Sequence, residues 1–162
     1  IVFYVDETGE HGLVAAMEDL TEGATDNYGW GFNGYEWGCY GTDLTGADGT
    51  SIGTGYQNTM DIVNQGCVTE YGGITASQAA LDAEINGYSD WYLPSKDELE
   101  EMYNTIGNDG PEGNIGGFAD NYYWSSSEAN NDAAWYVNFD NGDAGSGHKI
   151  DAPLRVRVIR SF

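Results

Sequence analysis

The chain has 162 residues, a length that fits one domain with a single core. Its formal net charge of -22, from 27 acidic against only 5 basic residues, repels nucleic acid and anionic membrane surfaces. Aromatic residues at 14% with charged residues at only 20% argue against disorder, and no apolar run approaches the roughly 18 residues of a membrane span.

In chain order, "IVFYV" (1–5) and "GLVAAM" (12–17) are predicted strands, joined by "DETGEH" into an opening hairpin. Because Ile1 falls inside a strand pattern, the chain reads as a fragment or processed form, with any export signal left out. From Thr21 to Thr54 the density of Gly, Asp, Thr and aromatics, centred on "NYGWGFNGYEWGCYG" (27–41), excludes a helix. The expectation is a long structured loop pinned by Trp30, Trp37 and Tyr40. "GYQNTMDIVNQG" (55–66) places Tyr56, Thr59, Met60 and Val63 at helical spacing. "TASQAALDAEING" (75–87) does so with Ala76, Ala79, Ala80 and Ala83 and closes on glycine. The clearest helix is "PSKDELEEMYNTIG": Ser95 and Glu98 form a capping box, Leu99, Met102, Tyr103 and Ile106 line one face, and Gly107 ends it. Its acidic residues Glu98, Glu100 and Glu101 are expected on the outer part of the helix, where the dipole favours them.

After a Gly-rich connector come three predicted strands, "YYWSSS" (122–127), "AAWYVNFD" (133–140) and "LRVRVIRSF" (154–162). Alternation puts Trp135, Val137 and Phe139 on a core face and Ala134, Tyr136, Asn138 and Asp140 on an outward one. In the last strand Leu154, Val156 and Val158 alternate with Arg155, Arg157 and Ile159, and "DNGD" (140–143) carries the Asn-Gly pair of a tight hairpin turn. The order of elements predicts a single α+β domain over 1–162, with mixed, mostly antiparallel sheets, two or three short helices, and its first and last strands side by side.

Few motifs carry chemistry. Carboxylates are so abundant that adjacency marks no acid/base pair, and His11 and His148 stand alone, without Cys or Glu at ligand spacing. The serines of "YYWSSSE" lack the G-x-S-x-G context of a nucleophile, so Trp124 reads as core and Ser125–Ser127 as strand residues whose hydroxyls bond locally. No cofactor is expected. Calcium stays open, since Asp and Asn oxygens abound in "TDNYG", "TDLTGADGT" and "NFDNGD" without a defining spacing. Cys39 and Cys67 leave either one disulfide or two buried thiols, with the disulfide preferred. Four of the five basic residues, Lys149, Arg155, Arg157 and Arg160, crowd the last fourteen positions and are expected to pair with carboxylates beside the core.

The phrases "IVFYVDETGEHGLVAA", "WGCYGT", "IGTGYQNT", "NGYSDWYLPSKDELEEMY", "YYWSSSE", "AWYVNFDNGD" and "LRVRVIRSF", in that order, closely resemble the bacterial domain family that includes the C-terminal domain of the Legionella collagen-like protein. The resemblance implies a C-type-lectin-like fold, related to formylglycine-generating-enzyme domains, and an extracellular or cell-surface location in adhesins and surface lipoproteins. The ending is also similar to the variable regions of diversity-generating retroelement proteins, in which adenine-directed mutagenesis, commonly of Asn codons, changes outward positions on a fixed scaffold. Between Ala129 and Leu154 the chain has no Glu, Gln or Met and many Asn, Asp, Ala, Gly and Ser, the repertoire such codons reach. The calcium signatures of sugar-binding C-type lectins are absent, as is a counterpart in the C-terminal half to the cysteine pair of the formylglycine-generating enzyme, so neither activity carries over.

These readings predict a non-enzymatic binding module. Its ligand surface is formed by Tyr136, Asn138, Asp140, Asn141, Asp143, Ser146, His148 and Asp151, with Asn130, Asn131 and Asp132 at the rim, inside a variable region at about 129–154. The expected partner is a protein or glycan, with no nucleic acid and no membrane insertion. A fixed-specificity glycan-binding adhesin and an enzyme on the related scaffold are the alternatives.

Overall fold

A computed structural model describes residues 1–26, 34–151 and 154–162. It is an α+β arrangement of three helices and two three-stranded antiparallel sheets. Strands β1 (Val2–Val5) and β2 (Gly12–Ala15) form the expected opening hairpin, whose turn is held by Asp6: its Oδ1 accepts from the Thr8 and Gly9 amides and the Thr8 hydroxyl. Strand β6 (Ile159–Ser161) joins this sheet in the order β1-β2-β6. The chain's two ends therefore share a sheet, but β2 lies between them. This corrects the expectation that the first and last strands are neighbours: the hairpin partner of β1 occupies that edge. The predicted last strand is also shorter than its pattern, with Leu154 and Arg155 reduced to single bridges to Tyr35 and Tyr123.

The second sheet has the order β3 (Tyr122–Glu128), β4 (Ala133–Asn138) and β5 (Ala144–His148). Strand β5, "AGSGH", was not among the predicted strands, because glycine and serine carry little strand propensity. It forms because β4 supplies a complete ladder from Ala133↔His148 to Val137↔Ala144. Its glycines lie under the Tyr136 ring, where a Cβ at Gly145 would stand 2.7 Å from the Tyr136 hydroxyl oxygen. The turn into it is not the two-residue Asn-Gly type, which needs positive φ at both central residues. Only Gly142 adopts positive φ (79°), and Phe139 is buried within the connection.

Helix α1 (Gly55–Asn64) buries Gly55, Asn58, Thr59 and Ile62, so its inward face is rotated from the predicted one and Tyr56 is exposed. Helix α2 (Ala76–Asp82) ends at Asp82, short of Gly87, and buries Ala76, Ala79 and Ala80 as expected. Helix α3 (Lys96–Ile106) has the predicted capping box, apolar face and terminal Gly107. Glu98, expected on the outside, is instead fully buried, because its carboxylate accepts amides from two places, Ser95 (2.7 Å) and Gly53 (2.8 Å). Gly55 opens α1 at this point because a Cβ there would collide with the same carboxylate. One side chain thus fixes the start of α3 against the start of α1.

Apolar residues form two clusters, one on each face of the β3-β4-β5 sheet. Trp124 and Ala134 pack with Tyr35, Trp37, Ile62 and the alanines of α2, while Tyr123, Val137 and Phe139 pack with α3 and the first sheet. Of the residues expected to pin the long loop, Trp37 does so, donating its indole N–H to the Ser125 carbonyl at 2.8 Å; Tyr40 is exposed, and Trp30 lies outside the described residues. The serines of β3 reach further than expected. Ser127 donates to the Gly49 carbonyl and accepts the Lys96 amide, and Ser126 accepts from Asn58, so they stitch the sheet to loops and helices distant in sequence.

Cys39 and Cys67 form a disulfide across a sequence separation of 28 residues. Loop closure of that length predicts that the double substitution Cys39→Ala/Cys67→Ala lowers the unfolding free energy by about 3–4 kcal/mol, read from urea denaturation. Burial raises the Glu98 carboxyl above its ordinary range. The folded protein then holds this proton where the unfolded chain releases it, so stability from this group is full below about pH 4.3 and is lost as pH rises through the folded value. The unfolding free energy of the wild type minus that of Glu98→Gln is expected to fall with rising pH across that window and to level off above it, in a urea series at stepped pH.

Candidate ligand-binding surface

The surface is built on the β4–β5 hairpin and the turns at its two ends. Alternation along β4 has a different meaning from the one predicted. Ala134, expected to face outward, is fully buried against the first cluster, and Trp135, expected in the core, is only half-buried. Both faces of β4 are covered, so no side of the strand is simply outside. Tyr136 is half-buried, packed against the first cluster with its ring edge-on to Tyr122 at 5.0 Å and to Trp124 at 6.5 Å. Trp135 emerges on the opposite face, level with Ser146, with the Lys96 ammonium 5.7 Å from its ring centre.

None of the eleven predicted residues is buried. Asn130, Asn131, Asp140, Asn141, Asp143, Ser146 and His148 are exposed, and Asp132, Tyr136, Asn138 and Asp151 are half-buried. They do not form one patch. Asn138, Asp140, Asn141 and Asp143 make the β4–β5 turn, where Asn138 Oδ1 accepts the Asp140 amide and Asn141 bonds Asp143 through both side chain and backbone. Asn130, Asn131, Asp132, His148 and Asp151 gather at the other end of the hairpin, where Asn130 Oδ1 accepts the Asp132 amide and Asp151 Oδ2 accepts the His148 amide. Five residue steps from Asp143 to His148, roughly 17 Å, separate the two ends. Ser146 and Tyr136 lie between them on opposite faces.

The second end rests on a buried polar network. Lys149 and Glu128 are both buried and form a direct ion pair. The Lys149 ammonium also donates to the Thr42 carbonyl (2.8 Å) and lies 5.0 Å from the centre of the Trp37 ring, while the Glu128 carboxylate accepts the Leu44 amide. Together with the Gly41 amide donating to the Asn131 carbonyl at 2.9 Å, these contacts fasten residues 39–44 alongside the hairpin. They bring in Tyr40, 40% exposed, whose ring meets His148 edge-on at 6.2 Å. Nothing local in the sequence marks Tyr40 as a neighbour of His148; the link runs through the Cys39–Cys67 disulfide and the ion pair. Tyr122 was also missed, although strict alternation along "YYW" would have put it on the face of Trp124 and so beside Tyr136.

The other basic residues are paired as expected, and more deeply. Arg157 is itself in the core, bonding Asp19 and the Ala16 and Gly116 carbonyls. Arg155 shares Asp19, and Arg160 makes a two-pronged pair with Asp90. Burial pushes the Tyr123 phenol up, and its hydroxyl donates to the same Asp19. Among the described residues, no group of three or more His, Cys, Asp or Glu side chains is placed to hold a metal ion, and residues 27–29 of the "TDNYG" stretch lie outside them.

The chain matches the Lcl C-terminal domain family over residues 44–160, more than half of its length. It belongs to that family. The match takes in all eleven predicted positions and leaves out Cys39 and Tyr40, so one wall of this Lcl C-terminal domain's hairpin end comes from outside the matched region. No curated protein matches the chain. The arrangement offers rings, amides and carboxylates on a rigid support, which suits reversible hydrogen bonding and ring contact.

Removing one partner of a buried ion pair strands the other charge. Lys149→Met is expected to lower the unfolding free energy by about 3–5 kcal/mol, and Glu128→Gln/Lys149→Met to be less destabilised than the sum of the two single changes, as measured by urea denaturation in a double-mutant cycle.

Proposed function

We propose that this Lcl C-terminal domain is a non-enzymatic ligand-binding module of an extracellular or cell-surface adhesin, on a C-type-lectin-like scaffold, and that its outward positions between about 129 and 154 are a replaceable surface of the kind retroelements diversify. The observation that carries this reading is the division of labour inside that segment. The eleven polar and aromatic positions are all exposed or half-buried, whereas five of the residues interleaved with them, Ala133, Ala134, Val137, Phe139 and Lys149, are buried. Side chains at the ten positions other than Tyr136, which packs against the first cluster, can therefore change with little loss of core, while the framework holds their Cα atoms in place. The Cys39–Cys67 disulfide supports a location in an oxidising compartment, and among the described residues no helix is long and apolar enough to cross a membrane. The acidic surface supports a neutral or cationic partner.

The test is a combined glycan and protein array, with and without calcium, of the wild type and two triple variants: Asn138→Ala/Asp140→Ala/Asn141→Ala at the turn and Asn130→Ala/Asn131→Ala/Asp132→Ala at the opposite end. At least one variant is expected to lose about tenfold or more in binding while its melting temperature stays within a few degrees. Attachment unchanged in both variants would overturn the assignment of the surface. For diversification, the surrounding DNA is expected to hold a reverse transcriptase and a near-copy of the 3' end differing at adenines; without them the reading becomes a fixed-specificity glycan-binding adhesin.

A further inference from the structure

The binding reading leaves open which end of the hairpin holds the ligand and what class of ligand it takes. The two ends differ in construction. The turn at Asn138–Asp143 has side-chain bonds mainly within itself, supplemented by Asn108 donating to the Phe139 carbonyl. The opposite end is braced by a disulfide, a buried ion pair and a backbone bond from residue 41, all converging on residues 39–44. Cys39 itself is held at a positive φ of 51°, a conformation that non-glycine residues adopt only when their surroundings impose it. Withdrawing a lysine and a glutamate from water is costly, and a better-packed apolar pair would serve stability as well. What this bracing achieves is a fixed position for Tyr40 beside His148.

We propose that Tyr40 is the aromatic anchor of the ligand surface, that with His148 it centres the site at the Asn130–Asp132 end of the hairpin, and that this site takes uncharged, hydroxyl-rich glycans. The proposal rests on the binding reading above and names its ligand class. Anionic ligands find no partner, because all five basic side chains of the chain are already in ion pairs with its own carboxylates. The carboxylates at this end, Asp132 and Asp151, are half-buried, and Asp151 accepts the His148 amide, so the exposed side chains among the site residues are those of Tyr40, His148, Asn130 and Asn131. What faces outward is two aromatic rings with the amides of Asn130 and Asn131. The rings cover the apolar face of a sugar, and the amides both donate to and accept from its hydroxyls. Tyrosine brings this contact area with only two side-chain torsions to immobilise.

The experiment probes the purified, disulfide-intact chain against neutral oligosaccharides, sulfated and sialylated glycans, and Lys/Arg-rich peptides on one array. The variants are Tyr40→Ala, Tyr40→Phe and, as a control on an exposed tyrosine beside Arg160, Tyr88→Ala. The wild type is expected to bind neutral glycans. Tyr40→Ala should lose about tenfold or more with an unchanged melting temperature, Tyr40→Phe should stay within about threefold, and Tyr88→Ala should match the wild type. Capture by the anionic glycans or the basic peptides alone overturns the ligand class. Capture of neutral glycans undiminished in Tyr40→Ala overturns the anchor and leaves the binding function standing. No capture of any glycan overturns this proposal, and only the additional failure of the protein probes above counts against the binding reading itself.

Discussion

The Lys149 ammonium is buried in the fold, and the shape of the surface follows from how it is satisfied. An isolated buried charge costs several kcal/mol or more, so it must find a counter-charge and acceptors in fixed positions. Here they come from two stretches distant in sequence: Glu128 at the end of β3, and the segment 37–42, which supplies the Thr42 carbonyl and the ring of Trp37. Because Glu128 is also committed to the Leu44 amide, the loop at 39–44 cannot shift without exposing or stranding a charge. In a chain with 5 basic residues against 27 acidic ones, cations are scarce. The arginines act in the same way, Arg155 and Arg157 joining the C-terminal segment to Asp19 and Arg160 joining β6 to Asp90.

The second constraint is the burial of strands β3 and β4 between two clusters, with β5 an edge strand whose residues are exposed or half-buried. A sheet with one wet face offers its outward side chains along the whole strand, whereas a sheet between two clusters can offer them only where the cover stops. Cover is densest over Ala133, Ala134, Val137 and Phe139, and the polar positions divide into two groups because these buried residues lie between the turns at the two ends. Tyr136 is tied to the first cluster, and Ser146 on the edge strand β5 is exposed. Buried and exposed positions are thereby interleaved along one hairpin.

Much of this was readable from residue patterns, and what was not has physical reasons. The cap, apolar face and stop of helix α3 were legible because all three are local signals. The hairpin at the start and β3 were legible from their apolar and aromatic runs and β4 from alternation, but the identity of the covered face was not, since alternation distinguishes two faces without saying how many are buried. Strand β5 was invisible because its residues have no intrinsic preference for extended structure and are held by a neighbour's ring. The burial of Glu98 could not be read because its second amide partner, Gly53, is 45 residues away in sequence. Membership of the family and the broad α+β class were within reach of the sequence; the place of Tyr40 was not, because it depends on a disulfide and an ion pair formed only in the folded chain.

The ring of Tyr136 lying across Gly145 and Gly147 has a consequence for how this segment can evolve. A methyl group at 145 would stand 2.7 Å from the phenol oxygen, so a larger residue there requires the Tyr136 ring to shift or a smaller residue at 136. The two codons are mechanically linked, and viable sequences should show bulk exchanged between the neighbouring strands and not gained on both. Apparent freedom at each site, counted one at a time, overstates the number of surfaces the hairpin can present.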